Sequence, residues 1–322
     1  MKGRLSPSSL FSEEDWRMSQ QVKGSLFATL GGICWGLSGS VGQYLFNVQG
    51  MDARYLTPIR LGGAGILLLL YCLVRYGAAF VVSPWRVRRN RRDLLVYGLL
   101  GVTACQYLYF QTIQLSSAAV ATILQDISPA IILLVSCHLA KRSPKRAEIL
   151  AIVLGLTGVF LITTGGNLKS FSVSTPALVL GLLSAFTVAV YNIVPENLLK
   201  TYPIVLLQGW AFLMGSILLC VIFRPWSFHY TPNLIGYFGI AFVIVVGNIL
   251  AFPLYMEGVH LIGPEKGILY GFSEPLTAAV IGVVVLHNTF TLFDGIGFFL
   301  VFLMLALISR PKKAAVKSTQ AA

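Results

Sequence analysis

Long apolar runs broken by short polar joints dominate the chain. A helix needs about 20 mainly apolar residues to cross the hydrocarbon of a bilayer. Ten stretches meet that length: 24–46, 54–76, 93–115, 118–140, 147–165, 175–199, 203–224, 234–257, 264–286 and 291–309. Strands of a membrane barrel would instead alternate over about ten residues, and these runs are continuous. The pattern therefore predicts an all-α membrane protein with ten transmembrane helices. Only Ser116 and Ser117 separate the third run from the fourth, so those two helices form a tight antiparallel hairpin. Residues 1–23 are polar and read as a cytoplasmic tail, and residues 310–322 as a basic cytoplasmic tail. The first tail holds either a surface helix around Phe11 to Met18 or, as the simpler expectation, disorder. No short apolar core precedes a small-residue cleavage site, so no cleavable signal is expected.

The chain also repeats itself. A shift of 146 residues carries Pro129 onto Pro275, Tyr109 onto Tyr255, Gly101 onto Gly247 and Glu148 onto Asp294. The pair Ser128-Pro129 falls on Glu274-Pro275 in the same register. A slightly larger shift sets Cys34-Trp35 on the Ser184 to Phe186 stretch. Two halves follow, 24–165 and 175–309, each with five helices. Five is odd, so the second half must enter the membrane in the opposite sense. Such inverted repeats are a recurring plan of secondary transporters.

Charge sets the orientation. With both termini in the cytoplasm, all of the 24 lysines and arginines lie on that side except Arg54, Arg60, Lys169 and Arg224. Basic loops face the cytoplasm. The net charge of +12 thus belongs with anionic lipid rather than nucleic acid. Only 11% of residues are charged, against about 25% in soluble domains. That excludes a water-soluble globule and points to a multi-pass protein of the cell inner membrane.

Several short motifs bear a resemblance. They are Cys34-Trp35-Gly36 in the first helix, Arg60 in the second and Leu115-Ser116-Ser117-Ala118 before the fourth. Ser128-Pro129, Gly155, Gly158 and Ser273-Glu274-Pro275 complete the set. In this order and spacing the chain resembles the EamA family of the drug/metabolite transporter superfamily, over residues 24 to about 309. The resemblance implies ten helices in two inverted five-helix repeats, alternating access and export of small molecules such as amino acids. Many members carry Gly-Glu after helices four and nine, where this chain has Ala140-Lys141 and Leu286-His287.

The middle of the hydrocarbon lies roughly ten residues from either helix end, at about 1.5 Å per residue. Trp35, Gln106, Gln125, Asp126, Asn248 and Glu274 fall near that level, so polar groups of several helices converge there. A carboxylate at such depth costs several kcal/mol unless it is paired, protonated or wetted. Glu274 therefore either binds a substrate amine or a coupling proton, or stays neutral beside the Pro275 kink. Asp126 and Gln125 point about 100° apart on one helix, so they cannot face a cavity equally. Asp126 either pairs with Arg60 or meets a substrate cation. Arg60 either snorkels back to water or grips a substrate carboxylate bidentately. The aromatics Trp35, Tyr107, Tyr109, Tyr191, Trp210, Phe252, Tyr255 and Tyr270 either wall the cavity or simply pack. The candidate substrate site is thus Trp35, Arg60, Gln106, Tyr109, Gln125, Asp126, Tyr191, Asn248, Tyr255, Tyr270 and Glu274. Pro129, Pro253 and Pro275 each remove a helical hydrogen bond and favour kinks.

The five cysteines are far apart and read as small buried hydrophobes. The four histidines lack HExxH spacing, and no phosphate-cradling loop or nucleophile elbow appears. No metal or cofactor is expected, and ATP is not the direct energy source. A secondary transporter is the leading reading. Its rivals are a membrane-embedded enzyme acting on a lipid or prenyl substrate, which lacks the needed cluster of reactive groups, and a channel or scaffold.

Overall fold

The computed structural model describes residues 13–139, 141–164, 173–263, 267 and 270–308. Their regular structure is entirely helical. We number the helices α1 (Glu13–Asn47), α2 (Ala53–Tyr76), α3 (Ala78–Arg86) and α4 (Arg88–Leu115). Next come α5 (Ala118–Gln125), α6 (Ser128–Leu139), α7 (Arg146–Thr164) and α8 (Thr175–Ile193). A single turn, α9 (Glu196–Leu199), leads to α10 (Ile204–Phe223) and α11 (Leu234–Ile262). The chain ends with α12 (Ser273–Val284) and α13 (Leu292–Ile308).

Among the described residues, six helices are long and apolar enough to cross a membrane: α2, α4, α5 with the start of α6, α8, α10 and α11. α12 and most of α13 are shorter apolar helices. α1 continues without a break from Glu13, so the latter part of the polar N-terminal segment is helical rather than disordered. Phe11, Ala140, Lys169, Pro264 and the C-terminal tail from residue 309 lie outside the described residues. The hydropathy pattern missed α3, a short helix whose Trp85 packs edge-on against Trp210, centroids 5.3 Å apart.

Helix distortions recur at the repeat spacing. α4 widens to a π-helix over Val96–Thr103 and α11 over Val243–Leu250. These stretches hold the matched glycines Gly101 and Gly247. π-turns are rare and concentrate at functional places. The helical run breaks at Asp126 and Ile127 between α5 and α6, and at Phe272 just before α12. Each break stands beside its matched proline, Pro129 or Pro275. Pro253 follows the π stretch of α11, so the freed ladder and the missing donor fall together.

The caps repeat as well. Lys141 and His287 both sit in the left-handed region, at φ 49° and 55°. Lys141 lies just past α6 and His287 three residues past α12, and the following N–H groups of Arg142 and Asn288 return to Cys137 O and Gly282 O, five and six residues back, at 3.0 and 2.9 Å. This is the hydrogen-bond pattern that satisfies orphan carbonyls at a helix end. The matched acids cap the next helix: Glu148 accepts from Lys145 N–H and Asp294 from Thr291 N–H, both at 2.7 Å. The sequence match of Glu148 with Asp294 thus has a structural cause, an acidic side chain closing the start of α7 and of α13.

The halves interleave. α1 packs on α11 and α12, while α8 packs on α4, α5 and α6. α2 lies along α10, and α7 along α13. Glycine permits the closest crossings. A Cβ at Gly158 would stand 2.7 Å from Gly297 O, and a Cβ at Gly297 the same 2.7 Å from Gly158 O. This reciprocal contact joins the last helix of each half.

Candidate functional site

Two connected chambers lie where the halves meet. The inner one, about 120 Å³, is walled by α1, α2, α4, α5, α8, α10, α11 and α12. The outer one, a vestibule of about 680 Å³, reaches from Glu274 to Arg142, Lys145 and Glu148 near the α6–α7 connection. Trp35, Gln125, Tyr191, Phe252 and Glu274 line both and form the threshold between them. Gly36 brings α1 close to this threshold, since a Cβ there would meet Glu274 O at 2.5 Å.

The opposite face is sealed by a polar latch. Gln43 on α1 is 1% exposed. Its Nε2 donates to Asn288 Oδ1 at 3.0 Å, and its Oε1 accepts from Ala118 N–H at 2.9 Å. Gln114 Oε1 similarly accepts from Ala53 N–H at 2.9 Å. Tyr55 packs edge-on against Tyr230 above this layer, at 5.5 Å. The cavity is therefore open toward the α6–α7 connection and closed toward the α1–α2 and α12–α13 connections.

Of the sequence candidates, Trp35, Arg60, Gln106, Tyr109, Gln125, Tyr191, Asn248 and Glu274 line the inner chamber. Asp126 and Tyr255 line the vestibule. Tyr270 lines neither; its carbonyl accepts from Ser273 Oγ at 2.8 Å. Tyr107 and Trp210 are packing residues. Tyr107 lies against Phe223, centroids 4.8 Å apart, and Trp210 Nε1 donates to Val81 O at 2.9 Å. Trp35 meets Tyr255 at 5.1 Å and Phe252 at 6.2 Å, so three rings from two halves form one wall.

Arg60 departs from the snorkelling reading and from the pairing with Asp126. It is 3% exposed and does not snorkel, because Phe110 and two amides hold it inward. Its guanidinium carbon lies 3.9 Å from the Phe110 ring centroid. Its Nη2 donates to Gln106 Oε1 at 3.0 Å and to Asn248 Oδ1. Arginine has no acceptor, so both amides must present oxygen here. Asp126 is not its partner: no carboxylate of the described residues pairs with Arg60. Asp126 sits instead at the α5 break, where its N–H bonds Thr122 O at 2.9 Å and its Oδ2 is buried without a partner.

Several lining residues escaped the sequence reading, among them Gln208, Phe110, Phe212 and Cys105. Gln208 lies only one turn into α10, too shallow for a midplane rule, and accepts from Tyr97 O–H at 2.6 Å. Phe110 and Phe212 look like ordinary core. Cys105 was read as an inert hydrophobe, yet it faces the inner chamber and accepts from Gln125 Nε2 at 3.3 Å. Gln125 Nε2 also reaches Ser184 Oγ at 3.1 Å, tying α5 to α8.

Among the described residues, no three His, Cys, Asp or Glu side chains gather as a metal site. At the start of α7, Arg142 Nη1 and Nη2 donate to the Glu148 carboxylate at 2.8 and 3.0 Å.

The profile of the EamA-like transporter family matches the chain twice, at residues 22–164 and 175–310. The chain belongs to the EamA-like transporter family. Its duplicated domain accounts for the repeated π stretches, breaks and caps. Among proteins similar to this EamA-like chain is the "Uncharacterized inner membrane transporter YicL" of Salmonella typhimurium. It is 32% identical over 292 residues, covering 91% of this chain and 97% of that protein. The "Uncharacterized transporter YwfM" of Bacillus subtilis is 25% identical, with 90% and 95% covered. The "Uncharacterized inner membrane transporter YedA" of Escherichia coli is 23% identical, with 80% and 81% covered. One solved crystal structure shares the fold with a TM-score of 0.59 at 17% identity, covering 90% of this chain and 97% of that one. This EamA-like chain is accordingly a membrane transporter.

Proposed function

We propose that the chain is a secondary transporter that exports a small polar or amphipathic metabolite, such as an amino acid, across the inner membrane by alternating access. In this reading ten helices cross the bilayer, the two five-helix halves insert in opposite senses, and both termini face the cytoplasm. The observation that carries it is the one-sided cavity: buried polar groups from both halves, open through the vestibule and shut by the Gln43 latch. With the basic α6–α7 connection in the cytoplasm, the vestibule faces inward and admits substrate from the cell.

The alternating step is the exchange of this arrangement for its mirror. The helices crossing at the sites of Gly158 and Gly297 serve as the pivot, and the breaks at Asp126 and Phe272 supply bends. Glu274 stands at the threshold of both chambers, where a group that carries a proton must sit. Transport runs down the substrate gradient or is coupled to protons through Glu274.

The test is a screen of purified protein in liposomes against labelled metabolites. Saturable uptake with counterflow supports the carrier. Conductance without saturation identifies a channel and rejects the proposal.

A further inference from the structure

Arg60 is a buried charged group, 3% exposed, and no carboxylate of the described residues pairs with it. Burying a lone charge costs several kcal/mol, and proteins meet that cost with a partner charge. Here three neighbours hold the cation without neutralising it: the Phe110 ring on its face, and the Gln106 and Asn248 oxygens on Nη2. Among the described residues, Nε and Nη1 of Arg60 have no hydrogen-bond partner, and neither has Nδ2 of Asn248. Two residues that line one chamber therefore keep donors in reserve.

We infer that Arg60 and Asn248 form the anchor for a carboxylate group of the transported molecule. This rests on the transport reading above and adds the chemical class of the ligand. A carboxylate entering the inner chamber accepts from Arg60 Nη1. When the Asn248 amide turns, its Nδ2 donates to the same anion and Nη2 is freed to complete a two-pronged bond. Charge-assisted bonds of this kind are short and strong. The class is a monocarboxylate rather than a phosphate. A doubly charged anion would call for more than one cation, and Glu274 shares the chamber, so a second negative charge meets an acid instead of a base. The rings of Trp35, Phe110, Tyr191 and Phe252 line the same space and suit a compact apolar or aromatic body beside the carboxylate. The anchor is preformed, because the stacked, hydrogen-bonded guanidinium needs little ordering when the ligand arrives.

The experiment uses purified full-length protein and measures thermal unfolding with benzoate and phenylacetate, each against its uncharged amide. In the native protein the carboxylates raise the midpoint saturably and the amides do not. Arg60→Gln weakens the apparent carboxylate affinity by about tenfold or more, and Arg60→Lys retains part of it. Asn248→Asp is the decisive second variant, because it gives Arg60 a fixed counter-ion. It raises the unliganded midpoint and removes the carboxylate response. A carboxylate preference that survives in Arg60→Gln or in Asn248→Asp overturns the anchor, as does the lack of any carboxylate shift in the native protein. The transport reading is scored separately by counterflow: carriage of uncharged solutes with no carboxylate shift rejects the anchor alone. Carboxylate-dependent stabilisation without any counterflow rejects the transport reading and leaves the anchor standing.

Discussion

The two halves of the chain share their backbone devices and differ in their cavity side chains. At the repeat spacing both carry a π stretch, a helix break before a proline, a left-handed C-cap and an acid closing the next helix. The lining diverges at the same spacing. Gln106 stands opposite Phe252, Val102 opposite Asn248, Asp126 opposite Phe272, and Ser128 opposite Glu274. The difference teaches a division of labour. A symmetric backbone can exchange one arrangement for its mirror at little cost in packing. An asymmetric lining gives the inner chamber one cation, from the first half, and the acid at its threshold, from the second.

The comparison breaks most sharply at Glu274. Glu274→Gln abolishes transport driven by a pH gradient in liposomes while counterflow without a gradient persists. Retained pH-driven uptake removes the proton role. The symmetric pivot comes next. Gly158→Ala and Gly297→Ala each press a methyl against the other's carbonyl, at 2.7 Å. Each should destabilise by about 1–3 kcal/mol, as overpacking does, and by equal amounts. Thermal unfolding of the two variants reads this directly, and a large inequality argues against a shared pivot.

The latch should respond more gently. Gln43→Ala removes two hydrogen bonds on the closed face, each worth about 1 kcal/mol. The population should shift toward opening there. In protein whose other cysteines are replaced by serine, Cys105 then becomes reactive to an impermeant maleimide added from the α1–α2 side. Unchanged labelling would show that other contacts hold that face.

The acid at the start of α7 comes next. Glu148→Gln removes the ion pair with Arg142 at 2.8 Å and should lower the unfolding midpoint by the equivalent of about 1 kcal/mol or less. The smallest effect belongs to the left-handed caps. Lys141→Gly and His287→Gly relieve the Cβ crowding of that conformation and should each add a few tenths to about 1 kcal/mol, measured as a rise in unfolding midpoint.

Much of this was legible along the chain because each element answers to a local or periodic cause. Apolar runs of spanning length mark α2, α8 and α10, since lipid tolerates no unsatisfied backbone. The 146-residue register found the matched glycines, prolines and acids, since duplicated elements keep the residues their geometry requires. Of the six residues that the midplane rule named, Trp35, Gln106, Gln125, Asn248 and Glu274 line the inner chamber and Asp126 lines the vestibule. Depth along a helix follows from rise per residue alone. The face of a helix turned to the cavity, and the partner chosen by each polar atom, depend on neighbours hundreds of residues away. Tertiary structure decided that Tyr270 lines neither chamber, that Arg60 rests on Phe110 and two amides instead of Asp126, and that Gln208 and Cys105 join the wall. It also decided which side is shut, because the latch joins Gln43 to Asn288, 245 positions apart. Its two hydrogen bonds exist only when α1, α5 and the α12–α13 connection meet.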